Sequence, residues 1–175
     1  MQPLYGRRVL LGITAGIAAY KAAELARLLI RDGAEVQVVM TVSASEFIGP
    51  ITLQAITGRP VRNTLFDEQH EAAMGHIELA RWADLILVAP ATADFLAQLA
   101  AGMAHDLLST LCLASTAPLM VAPAMNQAMW LHSATRSNVE LLRSRGVHLL
   151  GPDEGVQACG DTGPGRMVEP EALAS

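Results

Sequence analysis

Short apolar runs alternate along this chain with segments whose apolar residues recur every three or four positions. Arg8-Val-Leu-Leu-Gly-Ile13 is the first run, and it stops at the small residues Thr14-Ala-Gly16. Residues 17–31 then have helical spacing, with Ile17, Tyr20, Leu25, Leu28 and Leu29 on one face and Lys21, Glu24, Arg27 and Arg31 on the other. Gly33 ends that helix, because glycine enters the left-handed region at no Cβ cost. Glu35-Val-Gln-Val-Val-Met40 reads as a second strand, and Thr41-Val-Ser43 opens another helix. Strand, helix and strand at this spacing predict a right-handed crossover and a parallel sheet.

The pattern continues through Leu85-Ile-Leu-Val-Ala89, a third strand ending at Pro90-Ala-Thr92. Helices are predicted over residues 94–101 and 107–114. Leu119-Met-Val-Ala122 is a fourth strand, residues 133–145 a helix closed by Gly146, and Val147-His-Leu-Leu150 a fifth strand. Residues 58–75 are polar without a period and read as a loop, of a length often tied to function. From Gly151 onward Gly, Asp and Pro dominate, so the tail reads as a loop too. Without repeats or low-complexity tracts, the prediction is one α/β domain spanning residues 1–175. It is a three-layer sandwich around a doubly wound, mostly parallel sheet, Rossmann-like or flavodoxin-like.

Composition narrows the function classes. Hydrophobic residues make up 51% and charged residues 17%, with aromatics at 4%, so the core is aliphatic and further surface is expected to be buried between subunits. A net charge of -5 and the lack of a basic run argue against nucleic acid. Arg7 and Arg8 lead straight into a strand pattern, and no run of eighteen apolar residues occurs, so neither a signal peptide nor a membrane span is expected. Cys112 and Cys159 lie in unlike surroundings, which predicts free thiols and a cytoplasmic location.

The candidate chemistry gathers at predicted strand ends, where open α/β sheets bind ligands. Thr14-Ala-Gly16 precedes a helix start and lacks the G-x-G-x-x-G fingerprint, but its backbone suits a phosphate. Thr41, Ser43, Thr92 and Asp94 add small polar groups at the next two strand ends. Together they suit a mononucleotide such as FMN, although small residues at turns also serve packing. After the fourth strand comes Pro123-Ala-Met-Asn-Gln-Ala-Met-Trp130. Asn126 there is either a helix cap or an amide offered to a ligand, with Met125, Met129 and Trp130 as apolar surroundings. His76 and Glu78 lack the P-C-x-x-C of zinc deaminases, and His70 and His76 are not spaced as a ligand pair, so no metal is expected. Cys112 sits on an apolar helix face. Cys159, in the glycine-rich 157–166 stretch, is either a chance exposed thiol or a reactive one. Lys21 is the sole lysine, and on the outer helix face it is a poor Schiff-base candidate.

The stretch Gly12 to Lys21, Gly75-His-Ile-Glu-Leu with Arg81-Trp-Ala-Asp84, Ala89-Pro-Ala-Thr-Ala93, the 123–130 segment and Ala158-Cys-Gly-Asp161 together resemble the homo-oligomeric flavin-containing cysteine decarboxylases. Within that family the likeness is to the phosphopantothenoylcysteine decarboxylases of coenzyme A biosynthesis. It covers nearly the whole chain and extends to the N-terminal half of the bacterial bifunctional proteins. There a phosphopantothenate–cysteine ligase domain follows; since this chain stops at Ser175, that domain is expected to be absent here. The resemblance implies non-covalent FMN, with Ala15, Gly16, Ile17, Thr41 and Ser43 on the phosphate side and Thr92, Ala93, Asp94 and Phe95 at the ring. It implies His76 as base, Asn126 as anchor for the substrate carboxylate, and Cys159 as proton donor on a mobile flap over residues 151–167. It implies Met125, Ala158 and Arg81 as further substrate contacts. Implied too is decarboxylation by way of a thioaldehyde, in homotrimers often assembled into dodecamers with the flavin between subunits. Peptidyl-cysteine decarboxylases share the Pro-Ala-Met-Asn motif, flavin prenyltransferases lack it, and some relatives are non-catalytic flavin-binding regulators.

Overall fold

The computed structural model describes residues 3–65 and 75–175. Its five-stranded sheet joins β1 (Arg8–Ile13), β2 (Glu35–Met40), β3 (Leu85–Ala91), β4 (Leu119–Pro123) and β5 (His148–Leu149) in the order β2-β1-β3-β4-β5. All four pairings are parallel, with Val9 beside Val36, Leu11 beside Leu87, Val88 beside Val121 and Val121 beside Leu149. This is the doubly wound order expected from the sequence. Strands buried on both faces need near-continuous apolar runs, and these strands have them.

Alternation along β1 divides the core. Val9, Leu11 and Ile13 face a cluster with α1 (Lys21–Arg31), α2 (Pro50–Thr57) and the C-terminal α8 (Pro170–Ala174). Leu10 faces the other cluster, with α3 (His76–Trp82), α4 (Ala93–Ala101), α5 (Leu107–Ala114) and α7 (Ser133–Ser144). A short α6 (Gln127–Leu131) follows β4. Gly12 lets α5 come close to β1: a Cβ there would stand 2.7 Å from Leu108 Cδ1. No helix among the described residues is long and apolar enough to cross a membrane.

Three expectations are revised. The helix predicted from residue 17 begins as a 3₁₀ turn, Ile17–Tyr20, before α1. At three residues per turn its side chains leave the α-helical register. Ile17 and Tyr20 are therefore 65% and 62% exposed, while Leu25, Leu28 and Leu29 are buried as expected. Lys21 is not on an outer face: its side chain is 11% exposed, and Nζ is 2.7 Å from Glu169 Oε1. Second, the helix opening at Thr41 is a 3₁₀ turn, Val42–Glu46, and α2 starts afresh with Pro50 in its first turn. Third, the tail is no loop but an antiparallel hairpin, β6 (Asp153–Val156) and β7 (Thr162–Arg166). Within the predicted 58–75 loop, Arg62 is buried and bridges Val39 at the sheet edge. Residues 66–74 of that prediction, His70 included, lie outside the described residues.

Arg8 and Asp84 tie the starts of β1 and β3 together. Arg8 donates through its main-chain N at 2.9 Å and Nη2 at 2.9 Å, and Asp84 N returns a bond to Arg8 O at 2.8 Å. Hydrogen bonds from the Arg8 side chain and backbone hold the Asp84 carboxyl at about 2, below its usual 3.8. A carboxyl depressed in the folded state adds stability above its unfolded pKa and loses it as pH falls through the folded one. Denaturant midpoints of the wild type should thus fall between about pH 4 and about pH 2 more steeply than those of Asp84→Asn. Parallel profiles for the two proteins would remove this pair from the acid response.

Candidate active site

The direction of winding reverses between β1 and β3, since the chain leaves β1 toward β2 and returns to β3 on the other side. Such a switch point opens a crevice beyond the carboxyl ends of the strands. Here it holds a cavity of about 780 Å³. The floor is Ala15-Gly16-Ile17 after β1, Thr92-Ala93-Asp94 after β3 and Ala124-Met125-Asn126 after β4. Buried Thr14 joins two of these turns: Oγ1 donates to Pro90 O at 2.7 Å and accepts from Thr92 N at 3.1 Å. Thr92 in turn caps α4 by accepting from Phe95 N at 3.2 Å. The walls are largely apolar, with Ile17, Met125, Met129 and Val156 among them.

The hairpin lies over this cavity like a lid, with Val156, Gln157, Ala158, Cys159, Gly165 and Arg166 in its lining. It turns through Ala158-Cys159-Gly160, with Gln157 N donating to Asp161 O at 2.7 Å and Gly160 N to Gln157 O at 2.9 Å. A three-residue hairpin loop needs a left-handed residue at its last position. Gly160 supplies it at φ 91°, which lifts Cys159 onto the tip. The return strand is anchored where Met125 N donates to Gly165 O at 2.9 Å. At φ 139°, Gly165 passes so close that a Cβ would overlap the Met125 carbonyl oxygen.

Asn126 links lid and floor. Its Oδ1 accepts from Ala128 N at 2.8 Å and caps α6. That bond fixes the amide's orientation, so only Nδ2 faces the cavity. Nδ2 lies 3.1 Å from Asp161 Oδ2, 3.4 Å from Gln157 Oε1 and 3.5 Å from Cys159 Sγ. Asn126 therefore meets the cavity as a donor alone, suited to an anion. The helix-cap and ligand readings of this residue are compatible, because they use different ends of one amide.

Two more cavity residues carry charge. Lys21 and Arg166 both reach Glu169, at 2.7 and 3.2 Å. The hydrogen bond from Lys21, with help from Arg166, holds the Glu169 carboxyl below its usual range. This carboxylate joins α1 to the root of the hairpin. The sequence reading did not place Lys21, Arg166 or Gln157 at the site. The one available signal was Gln157 standing two residues before Cys159 in an otherwise small-residue stretch.

Of the sequence candidates, Ala15, Gly16, Ile17, Thr92, Ala93, Asp94, Met125, Asn126, Ala158 and Cys159 line the one cavity. Five others stand elsewhere in this chain. Phe95 is buried in the core behind the Thr92 turn. Thr41 Oγ1 is buried with no hydrogen-bond partner, at the carboxyl end of β2, and Ser43 is exposed beside it. His76 opens α3, and Arg81 is exposed in its last turn. Cys112 is packed with the α5 core, and burial pushes its thiol up to about 12. Cys159 is exposed. No group of three or more potential metal ligands occurs among the described residues.

A profile of the flavoprotein family matches residues 2–175. The chain belongs to that family. It is 60% identical over 173 residues to the coenzyme A biosynthesis bifunctional protein CoaBC of Vibrio parahaemolyticus, covering 99% of this chain and 43% of that protein. The chain thus spans less than half the length of the curated relatives it matches. A phosphopantothenoylcysteine (PPC) decarboxylase, solved as a Cys-to-Ser mutant with pantothenoylaminoethenethiol, superposes with a TM-score of 0.83 at 33% identity, covering 96% of this chain and 94% of that one. The FMN-dependent cysteine decarboxylase SpaF gives 0.84 at 33% identity over 98% and 95%.

Gln157 is the principal tie between lid and floor, donating to Met125 O at 3.4 Å and Pro164 O at 3.1 Å and accepting from Gln127 N at 3.0 Å. Gln157→Leu keeps the bulk and deletes these bonds together with the 3.4 Å contact from Asn126 Nδ2. Opening of the hairpin should become easier by about 1–3 kcal/mol, while the sheet is untouched. Hydrogen exchange should then rise at residues 156–161 and stay constant in β1 and β3; unchanged protection of the hairpin would contradict the assignment.

Proposed function

We propose that this flavoprotein is an FMN-dependent decarboxylase of 4'-phospho-N-pantothenoylcysteine, forming 4'-phosphopantetheine in coenzyme A biosynthesis. One observation carries the reading: over the mouth of an apolar cavity, an amide that can only donate stands 3.5 Å from an exposed thiol. A carboxylate held by the first group lies beside a proton source in the second. The solved decarboxylase named above, holding an ethenethiol in a Cys-to-Ser mutant, supports the same chemistry.

The residues present fit FMN. The cavity is large enough for a drug-sized ring system, its walls are apolar, and it lies at the switch point where flavodoxin-like sheets carry this group. The 3₁₀ turn after Gly16 has no side-chain cap, which leaves backbone N–H groups for a phosphate. Ala15, Gly16 and Ile17 would hold that end, with the buried Thr41 hydroxyl as a further donor and Ser43 beside it. Thr92, Ala93 and Asp94 would flank the ring. Bound FMN supplies reversible two-electron chemistry, by which a thiol carbon becomes a thioaldehyde whose C=S bond accepts the electron pair released with CO2.

The chain's own groups do the rest. The Nδ2 of Asn126 orients the carboxylate, and Met125 and Ala158 close around the substrate. The lid keeps water from the reacting carbon, and Cys159 Sγ delivers the proton that completes the product. His76 is the base, and Arg81 a contact for the substrate's phosphate. Both stand on α3, away from the cavity of their own chain, which supports a homotrimer, in assemblies up to a dodecamer, whose neighbours complete each other's sites. Exposed Ile17, Tyr20, Val42, Phe47 and Ile51 supply apolar surface for such packing. A phosphopantothenate–cysteine ligase domain fused to this one would act as a separate unit.

Purified protein should be yellow and release CO2 from the substrate. Cys159→Ser should also release CO2, yet accumulate a product two hydrogens short by mass. Saturated 4'-phosphopantetheine at the wild-type rate from that variant would refute the donor role. His76→Asn and Cys159→Ser should each be inactive for full turnover, and co-expressing them should restore it, since mixed oligomers contain sites with both groups. Activity retained by His76→Asn alone would remove this base.

A further inference from the structure

The donor of Asn126 already holds a carboxylate. Asp161 directly follows the loop that carries Cys159, and its Oδ2 accepts from Asn126 Nδ2 at 3.1 Å. The backbone of Asp161 closes the turn by accepting from Gln157 N, a service any residue would provide. Its side chain does something separate. It places an anion of the substrate's own chemical kind on the group that, in the reading above, anchors the substrate.

We propose that Asp161 is a positioning residue that occupies the Asn126 amide until a substrate carboxylate displaces it. The amide has a single free end, since Oδ1 is committed to Ala128 N. Gln157 Oε1 and Cys159 Sγ crowd the same end at 3.4 and 3.5 Å. A second carboxylate arriving there meets Asp161 at contact distance, where like charges repel. Asp161 must swing away, and because it adjoins the loop, the hairpin tip moves with it. Once the carboxylate departs as CO2, the donors are free and Asp161 returns to them. Lid position thereby follows the presence of a carboxylate on Asn126. The arrangement also selects ligands: apparent affinity for a carboxylate falls with the fraction of time Asp161 holds the amide, whereas a ligand lacking that group does not compete.

The inference rests on Asn126 being the anchor, and its test is separable from turnover. Two unreactive probes suffice: the substrate analogue with serine in place of cysteine, and its decarboxylated ethanolamine counterpart. Each is titrated calorimetrically into FMN-loaded wild type, Asp161→Asn and Asp161→Ala. Both variants should bind the serine analogue about fivefold more tightly than wild type and the ethanolamine analogue within about twofold. Equal or weaker binding of the serine analogue by the variants overturns the proposal. So does a parallel shift for both probes, which would mean a merely structural role, or failure of the serine analogue to bind any of the proteins. CO2 release from the cysteine substrate by wild type judges the decarboxylase reading on its own; its absence leaves the affinity comparison standing.

Discussion

A carboxamide has one acceptor and two donor hydrogens, and at Asn126 the acceptor is committed to the first turn of α6. This commitment organises the site. It turns the –NH2 group toward the crevice and the hairpin, and it does so without any charged residue. A lysine or arginine there would attract anions more strongly but would not be held in one orientation by a backbone N–H. The amide is a weaker ligand with a fixed direction, and it meets an internal carboxylate, a glutamine and a thiol in one small volume.

The rest of the molecule divides into what is rigid and what can move. The parallel sheet is buried on both faces, and its strand ends are pinned by side chain to backbone bonds such as those of Thr14. The hairpin has no such packing. Backbone contact at Gly165, the bonds of Gln157 and the Lys21–Glu169–Arg166 ion pairs hold it down. Each of those is modest next to a buried core. An element attached in this way can leave and return without disturbing the fold, as a lid over a reacting group must.

Most of the architecture was legible because the sheet is parallel and central. Its strands are continuous apolar runs, and Gly33 and Gly146 mark helix ends with positive φ, at 98° and 85°. Periodicity misled at the 3₁₀ turns, where extrapolating an α-helical register backward put Ile17 and Tyr20 inside and Lys21 outside. The hairpin was missed because Gly155, Gly163, Gly165 and Pro164 are poor strand formers. Their pairing comes from turn closure and from the floor of the crevice, not from propensity.

Strand order, the crevice and the small residues at its base follow from local patterns of apolar residues and turns, which depend on neighbours a few positions away. The sequence alone therefore determined the kind of fold and which strand ends open onto the crevice. That Asp161 and Gln157 reach Asn126, and that His76 stands apart from the cavity, were decided only by tertiary structure. Those relations join residues some thirty or more positions apart, as between Asn126 and Asp161. A contact across that distance depends on how the sheet, the short α6 and the hairpin close on one another, and no local pattern of residues records it.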